Sequence, residues 1–227
     1  MRRIVIVAIA AAAATGCIHV GSESKGEKIE TFRLSPPTIE AGAATPRVDA
    51  LAVSRPRAAP ALDTTSIAIS RPGQAFDYYE GVRWAESTPA MVQQLLVQSL
   101  ASAGIYTAVV TAPTRVPFNQ LLDVELRRFE AVSDSDASPP RVVVQLQFTL
   151  VDAKRGQRLG SGVATGEATA TENRRGAVIA AWEQAMTAAL VETVARVRES
   201  ASATPVPANP PTAAAGNPPP ASSSVAQ

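Results

Sequence analysis

The single cysteine, Cys17, closes the run Ala14-Thr15-Gly16-Cys17 directly behind a short apolar N-terminal segment. Met1-Arg2-Arg3 supplies a positive start, and Ile4 to Ala14 is an unbroken apolar stretch. About eleven residues is the length of a signal-peptide core, whereas a mature helix needs about 20 to cross a bilayer. Gly16-Cys17 then has the form of a bacterial lipobox, cut before the cysteine, with lipid carried on the Cys17 sulfur and the new N-terminus. A chance cysteine in an ordinary secretory leader is the competing reading. With one cysteine in the chain, a disulfide within it is excluded, and acylation accounts for an otherwise unpaired thiol in an exported protein.

Other chemistry is sparse. The only histidine, His19, lies two residues from the expected lipid, where nothing would hold it as a base or a metal ligand. Histidine–cysteine metal sites and histidine-dependent triads are excluded by count, and no cofactor is implied. Asp123 with Glu125, or Glu167 with Glu172, could share a site, but each falls on the expected wet face of a strand. Gly156, Gly160, Gly162 and Gly166 lie in a hairpin and strand, not between a strand and a helix as a phosphate loop requires. The expectation is a protein that is not an enzyme.

Charge points the same way. There are 21 basic and 20 acidic residues, and removal of Arg2 and Arg3 with the leader leaves the mature chain near −1. No Lys/Arg run exceeds two residues, so nucleic acid is not an expected partner. After a signal peptide at 1–16, residues 17–30 are polar and charged and read as a lipidated flexible tether. At about 5–6 Å × √n such a tether sets the following domain some 20 Å from the bilayer. Residues 199–227 are rich in Pro, Ala and Ser, with Pro218-Pro219-Pro220, and read as a disordered tail. The domain between them spans 31–198, enough for one core without staples.

Within it, Thr31–Leu34 and Val48–Val53 read as strands. Ser66–Ser70 and Ala75–Tyr79 read as a hairpin about Pro72-Gly73. Ser87 or Thr88 can cap a helix that has Pro89 in its first turn and Gly104 at its end. Met91, Val92, Leu95, Leu96, Ser99 and Leu100 form its apolar stripe. Ile105–Thr111 is a strand, and Leu122, Val124, Leu126 and, after a slip, Phe129 line one face of another. Arg141–Val151 repeats that alternation, Asp152–Gly156 turns the chain, and Arg158–Thr171 returns as a strand rich in Gly, Ala and Thr. A second helix, Arg174–Arg198, buries Val178, Ile179, Trp182, Ala185, Met186, Ala189, Leu190, Val194 and Val197, with charge confined to the opposite face. The fold expected is α+β: a mainly antiparallel or mixed sheet with two helices on one face and the other face wet.

Tyr78-Tyr79-Glu80-Gly81-Val82-Arg83-Trp84-Ala85-Glu86 stands out in a chain poor in aromatics. Tyr78, Tyr79, Arg83 and Trp84 are candidate partner-binding residues, since rings and arginine favour interface hot spots. A tryptophan packed beneath the start of the helix is the equal alternative for Trp84, and a structural role likewise for Arg83. Together with Ile69-Ser70-Arg71, Pro89 and its Leu-rich helix, Asp123–Phe129, the strand 142–152 and the helix holding Trp182, this segment resembles the ABC-type transport auxiliary lipoprotein family, which includes the paraquat-inducible protein C-like lipoproteins. The Thr38–Pro46 loop and the Pro-rich tail depart from that family's pattern.

The resemblance implies a non-enzymatic periplasmic subunit. Its partners would be a mammalian-cell-entry (MCE) domain protein and inner-membrane ABC transporter components, moving lipid between inner and outer membranes, with self-association of copies. Ile18 stands where an aspartate would signal inner-membrane retention, which implies an outer-membrane anchor. The wet face of the sheet or Tyr78–Trp84 would be the docking surface. Two other readings remain open: a lipoprotein that itself binds lipid or assists lipopolysaccharide assembly, marked by a deep apolar cavity, and a carboxylate-dependent hydrolase, marked by close, shielded acids.

Overall fold

A computed structural model describes residues 29–41, 47–71, 73, 76–135 and 138–202. The signal peptide, Cys17, most of the tether and the tail from 203 onward lie outside the described residues, as do residues 42–46 of the expected loop.

The elements run β1 (Glu30–Phe32), β2 (Arg47–Val53), β3 (Arg57–Ala58), β4 (Ser66–Ser70), β5 (Asp77–Trp84), α1 (Thr88–Ser102), β6 (Tyr106–Thr111), β7 (Gln120–Val132), β8 (Arg141–Asp152), β9 (Arg158–Thr169) and α2 (Arg175–Ser202). All nine strands belong to one mixed sheet. Its spine is the antiparallel meander β7–β8–β9. On the other edge of β7 the chain lays down three short parallel pieces in succession: β2 beside Gln120–Leu122, β3 beside Glu125–Leu126, and β4 beside Ala131–Val132. β6 extends the sheet from β2, and β5 then β1 extend it from β4.

Local chemistry explains the punctuation. Pro89 occupies the first turn of α1, where a missing N–H costs nothing. The helix start is held from outside, because Thr88 N and Oγ1 both donate to Thr64 O, at 3.0 and 3.2 Å. The Ser87 side chain makes no cap hydrogen bond; its Oγ accepts from Arg55 at 3.0 Å instead. Gly104, at φ +64°, takes the left-handed conformation that ends the helix. The slip in the apolar alternation of β7 is a bulge: Leu126 opposes Leu146, yet Arg128 opposes the very next residue, Gln145.

Both helices cover one face. Met91, Val92, Leu95, Leu96 and Leu100 of α1 share a single core with Val178, Trp182, Met186, Leu190 and Val194 of α2 and with the even-numbered residues of β8 from Val142 to Leu150. Gln93 of α1 is buried, and its Nε2 donates to Val53 O at 3.0 Å and Ala112 O at 3.1 Å, satisfying the ends of β2 and β6 together. α2 lies against β9, and the small residues of that strand are the reason it can. A Cβ at Gly166 would stand 1.8 Å from Ala185 O, and one at Gly160 would stand 2.1 Å from Ser200 Oγ. The glycines expected in this hairpin and strand are therefore a bed for a helix.

Two expectations need correction. β5 does not stop at Tyr79 but runs to Trp84. Gly81 at φ +68° accommodates an irregular register that lets the strand continue, and β1 pairs with Val82–Trp84. Charge on α2 keeps to the outward face as expected, and the middle of that face also carries Ala180, Gln184, Ala188, Val191 and Ala195, all exposed. Finally, α2 continues to Ser202, past the expected boundary at 198.

Candidate functional site

Among the described residues the structure separates the four candidate contact residues. Trp84 is 1% exposed, and its ring packs edge-on against Trp182 at 5.5 Å and 87° and against Phe129 at 5.9 Å and 67°. Phe129 and Trp182 close the triangle at 4.3 Å. This triad joins β5, β7 and α2 at the centre of the core, so Trp84 offers no surface to a partner and the structural reading of it holds. Its Nε1 and that of Trp182 are buried without partners.

Of the other three, Arg83 is exposed while Tyr78 and Tyr79 are half-buried against the core. The Arg83 Nε donates to Thr31 Oγ1 at 3.4 Å, bracing β1 against β5. Tyr78 donates its hydroxyl to Ala61 O at 2.9 Å and meets Phe76 edge-on at 5.7 Å. Tyr79 lines a small apolar cleft of about 110 Å³ with Phe32, Ile67, Val82, Val178 and Ile179. Its hydroxyl is buried without a partner, and burial pushes its pKa up, partly offset by Arg71. Sites that engulf a small ligand usually hold about 300–1,000 Å³, so this cleft is a dent and not a lipid cavity. A broader, polar-rimmed depression of about 430 Å³ lies between residues 33–36 and α1, bordered by Arg33, Glu86, Gln94 and Gln98.

The sheet face turned away from the helices carries a lattice of opposite charges. Arg57 meets Asp123 at 3.1 Å, Arg127 meets Glu125 at 3.6 Å, Arg128 meets Glu130 at 2.7 Å and Arg141 meets Glu167 at 2.7 Å. Ser54 Oγ also donates to Asp123, at 3.1 Å. Gln145, Gln147, Thr149 and Thr165 fill the rows between. Val143 is buried on this face because it stands in register between Glu130 and Glu167, each engaged by an arginine. The acids that could have shared a site are each engaged by an arginine instead: Asp123 by Arg57, Glu125 by Arg127, Glu167 by Arg141 and Glu172 by Arg174. No group of three or more His, Cys, Asp or Glu able to hold a metal occurs among the described residues. No described helix is long and apolar enough to cross a membrane.

A family profile described as ABC-type transport auxiliary lipoprotein component matches residues 32–195, from the end of β1 to the last turns of α2. The chain belongs to that family. Among solved structures, protein XCC0632 from Xanthomonas campestris aligns with a TM-score of 0.66 at 23% identity, covering 74% of this chain and 95% of that one. An uncharacterized protein aligns at 0.58 with 14% identity, covering 74% and 97%. At these identities the likeness shows the fold alone. No curated protein matches the sequence. For this auxiliary lipoprotein, the motif residues behind the resemblance divide in two: Trp84, Val124, Leu126, Phe129 and Trp182 build the core, while Arg83, Asp123, Glu125, Arg127 and Arg128 reach solvent. The burial of Trp84 had a sequence signal, since it falls two residues after Val82 on the same strand face.

Proposed function

We propose that this auxiliary lipoprotein is a non-enzymatic subunit held at the periplasmic face of the outer membrane by acylated Cys17. There it docks an MCE-domain protein and its inner-membrane ABC transporter, in a system that moves lipid between the two membranes. The observation that carries this reading is the family match across the whole folded region, behind a lipobox cysteine and a short polar tether. One acyl chain binds a membrane only marginally, at about 0.8 kcal/mol per buried CH₂, whereas a multiply acylated cysteine is a stable anchor. The docking surface is the charged face of β7–β8–β9 together with Arg83 and Tyr78 at its border. Paired charges on such a face contribute little to the fold of the subunit but set the orientation and encounter of a partner. The small volume of the Tyr79 cleft and the polar rim (Arg33, Glu86, Gln94, Gln98) of the wider depression beside α1 favour docking over lipid binding by this chain itself.

Cross-linking in cells followed by affinity capture tests the reading. Wild type should recover MCE-domain and ABC components, and the double variant Arg127→Glu/Arg141→Glu should recover them several-fold less while folding normally. Recovery of neither component by wild type would remove the functional reading and leave the family and fold untouched.

A further inference from the structure

β9 is the longest strand at an edge of the sheet, twelve residues against three in β1 and six in β6. An open edge of that length presents a row of main-chain donors and acceptors that any extended strand can pair with. In β9 the row is interrupted at its middle. Thr165 N donates not to a strand but to Glu192 Oε2 of α2, at 2.9 Å. The other carboxylate oxygen, Oε1, accepts from Arg196 Nε at 3.0 Å and Nη2 at 2.8 Å, so the guanidinium fixes the carboxylate in place.

The placement of α2 makes this reach available. Ala185 and Ala189 stand over Gly166, Arg196 over Gly162 and Ser200 over Gly160. The helix therefore tracks the strand in the opposite direction, and Glu192 falls midway. Because Thr165 N turns outward, the pair Thr165–Gln145 is a non-hydrogen-bonded one, and by alternation Val163 and Glu167 also turn their amides outward. Val163 is 36% exposed, an apolar side chain beside the unshielded part of the edge.

We propose that Glu192 is a latch that closes the β9 edge against addition of a strand from a second copy of this chain. About a twofold axis at Thr165, two β9 edges pair antiparallel and identically, which is the isologous arrangement a second copy requires. The Glu192 carboxylate sits at the centre of that arrangement and takes the amide it would need.

The test uses the full chain, comparing wild type with Glu192→Ala and Glu192→Gln by residue-resolved hydrogen exchange and sedimentation over a wide concentration range. Wild type should protect the Thr165 amide. Glu192→Ala should exchange there roughly tenfold faster or more in dilute solution, the factor expected for losing a charge-assisted bond to an amide. At high concentration it should form a species of twice the wild-type mass, with exchange at Val163–Glu167 slowing again. Glu192→Gln keeps an acceptor for the amide and should sediment as wild type. Should Glu192→Ala not fold, Glu192→Ser, too short to reach the amide, takes its place. Unchanged exchange at Thr165, or faster exchange with no change of mass at any concentration, overturns the proposal.

Discussion

Replacing Gly166 by alanine adds one methyl group at the tightest contact between α2 and the sheet. That carbon would lie 1.8 Å from Ala185 O and 2.8 Å from Ala189 N. Both obstacles are helix backbone, so no rotamer change relieves them. Ordinary carbon contacts need about 3.5–4 Å, so α2 must lift by about 1.5 Å or β9 must sink. Either motion parts Ala185 and Ala189, both fully buried, from the strand. Overpacking in a dense core usually costs about 1–3 kcal/mol, and a rigid backbone obstacle places this case at about 3 kcal/mol. The reduced freedom of the unfolded chain returns only about 0.4–1 kcal/mol. The net cost is about 2–2.6 kcal/mol, and for a domain of this size each kcal/mol moves Tm by about 2–4 °C, so Gly166→Ala should lower Tm by roughly 4–10 °C.

Gly176, in the first turn of α2, is the control, because a methyl group added there would meet nothing within 4 Å. Alanine at that position should raise stability by about 0.5–1 kcal/mol through helix propensity. Thermal unfolding followed by circular dichroism reads both. A Gly166→Ala protein melting within a degree or two of wild type would refute the close approach of helix and strand as the reason for glycine.

Trp182→Ala removes the ring that links β5, β7 and α2 and should cost about 3–5 kcal/mol, read by urea denaturation together with loss of near-ultraviolet dichroism. Gln93→Leu takes the side-chain donor from Ala112 O and leaves Val53 O with Ala112 N alone, and should cost about 1–3 kcal/mol in the same titration. Tyr79→Phe removes a buried hydroxyl that has no partner, so it should leave stability at neutral pH unchanged or slightly higher. Because burial raises the Tyr79 pKa, the unfolded chain releases this proton at a lower pH than the folded one. Wild type should therefore lose stability as pH rises above about 10, and Tyr79→Phe should lose less over that window in a comparison of Tm against pH.

The sequence made the helices and the meander legible because their signals are local. The stripes Met91–Leu100 and Val178–Val197 are periodic, and the slip at Phe129 marks the β7 bulge. The parallel seating of β2, β3 and β4 along β7 was not legible, since nothing within Leu51–Val53 or Arg57–Ala58 names a partner some 70 residues away. The end of β5 was not legible either, because it is β1, some 50 residues earlier, that supplies the parallel neighbour for Val82–Trp84. At the candidate site, the alternation of β7 and β8 foretold a wet face. The pairing of each acid with an arginine depended on register across strands, and the Glu192–Thr165 contact on how α2 settles over the glycines of β9.

Membrane fractionation of wild type and Cys17→Ala decides whether the subunit is anchored as proposed. Wild type should band with outer-membrane markers in a density gradient and carry lipid on its N-terminal cysteine by mass spectrometry, while Cys17→Ala should leave the membrane fractions. A Cys17→Ala protein that still bands with the outer membrane would contradict a lipid anchor at Cys17, and a wild type that bands elsewhere would contradict its outer-membrane placement.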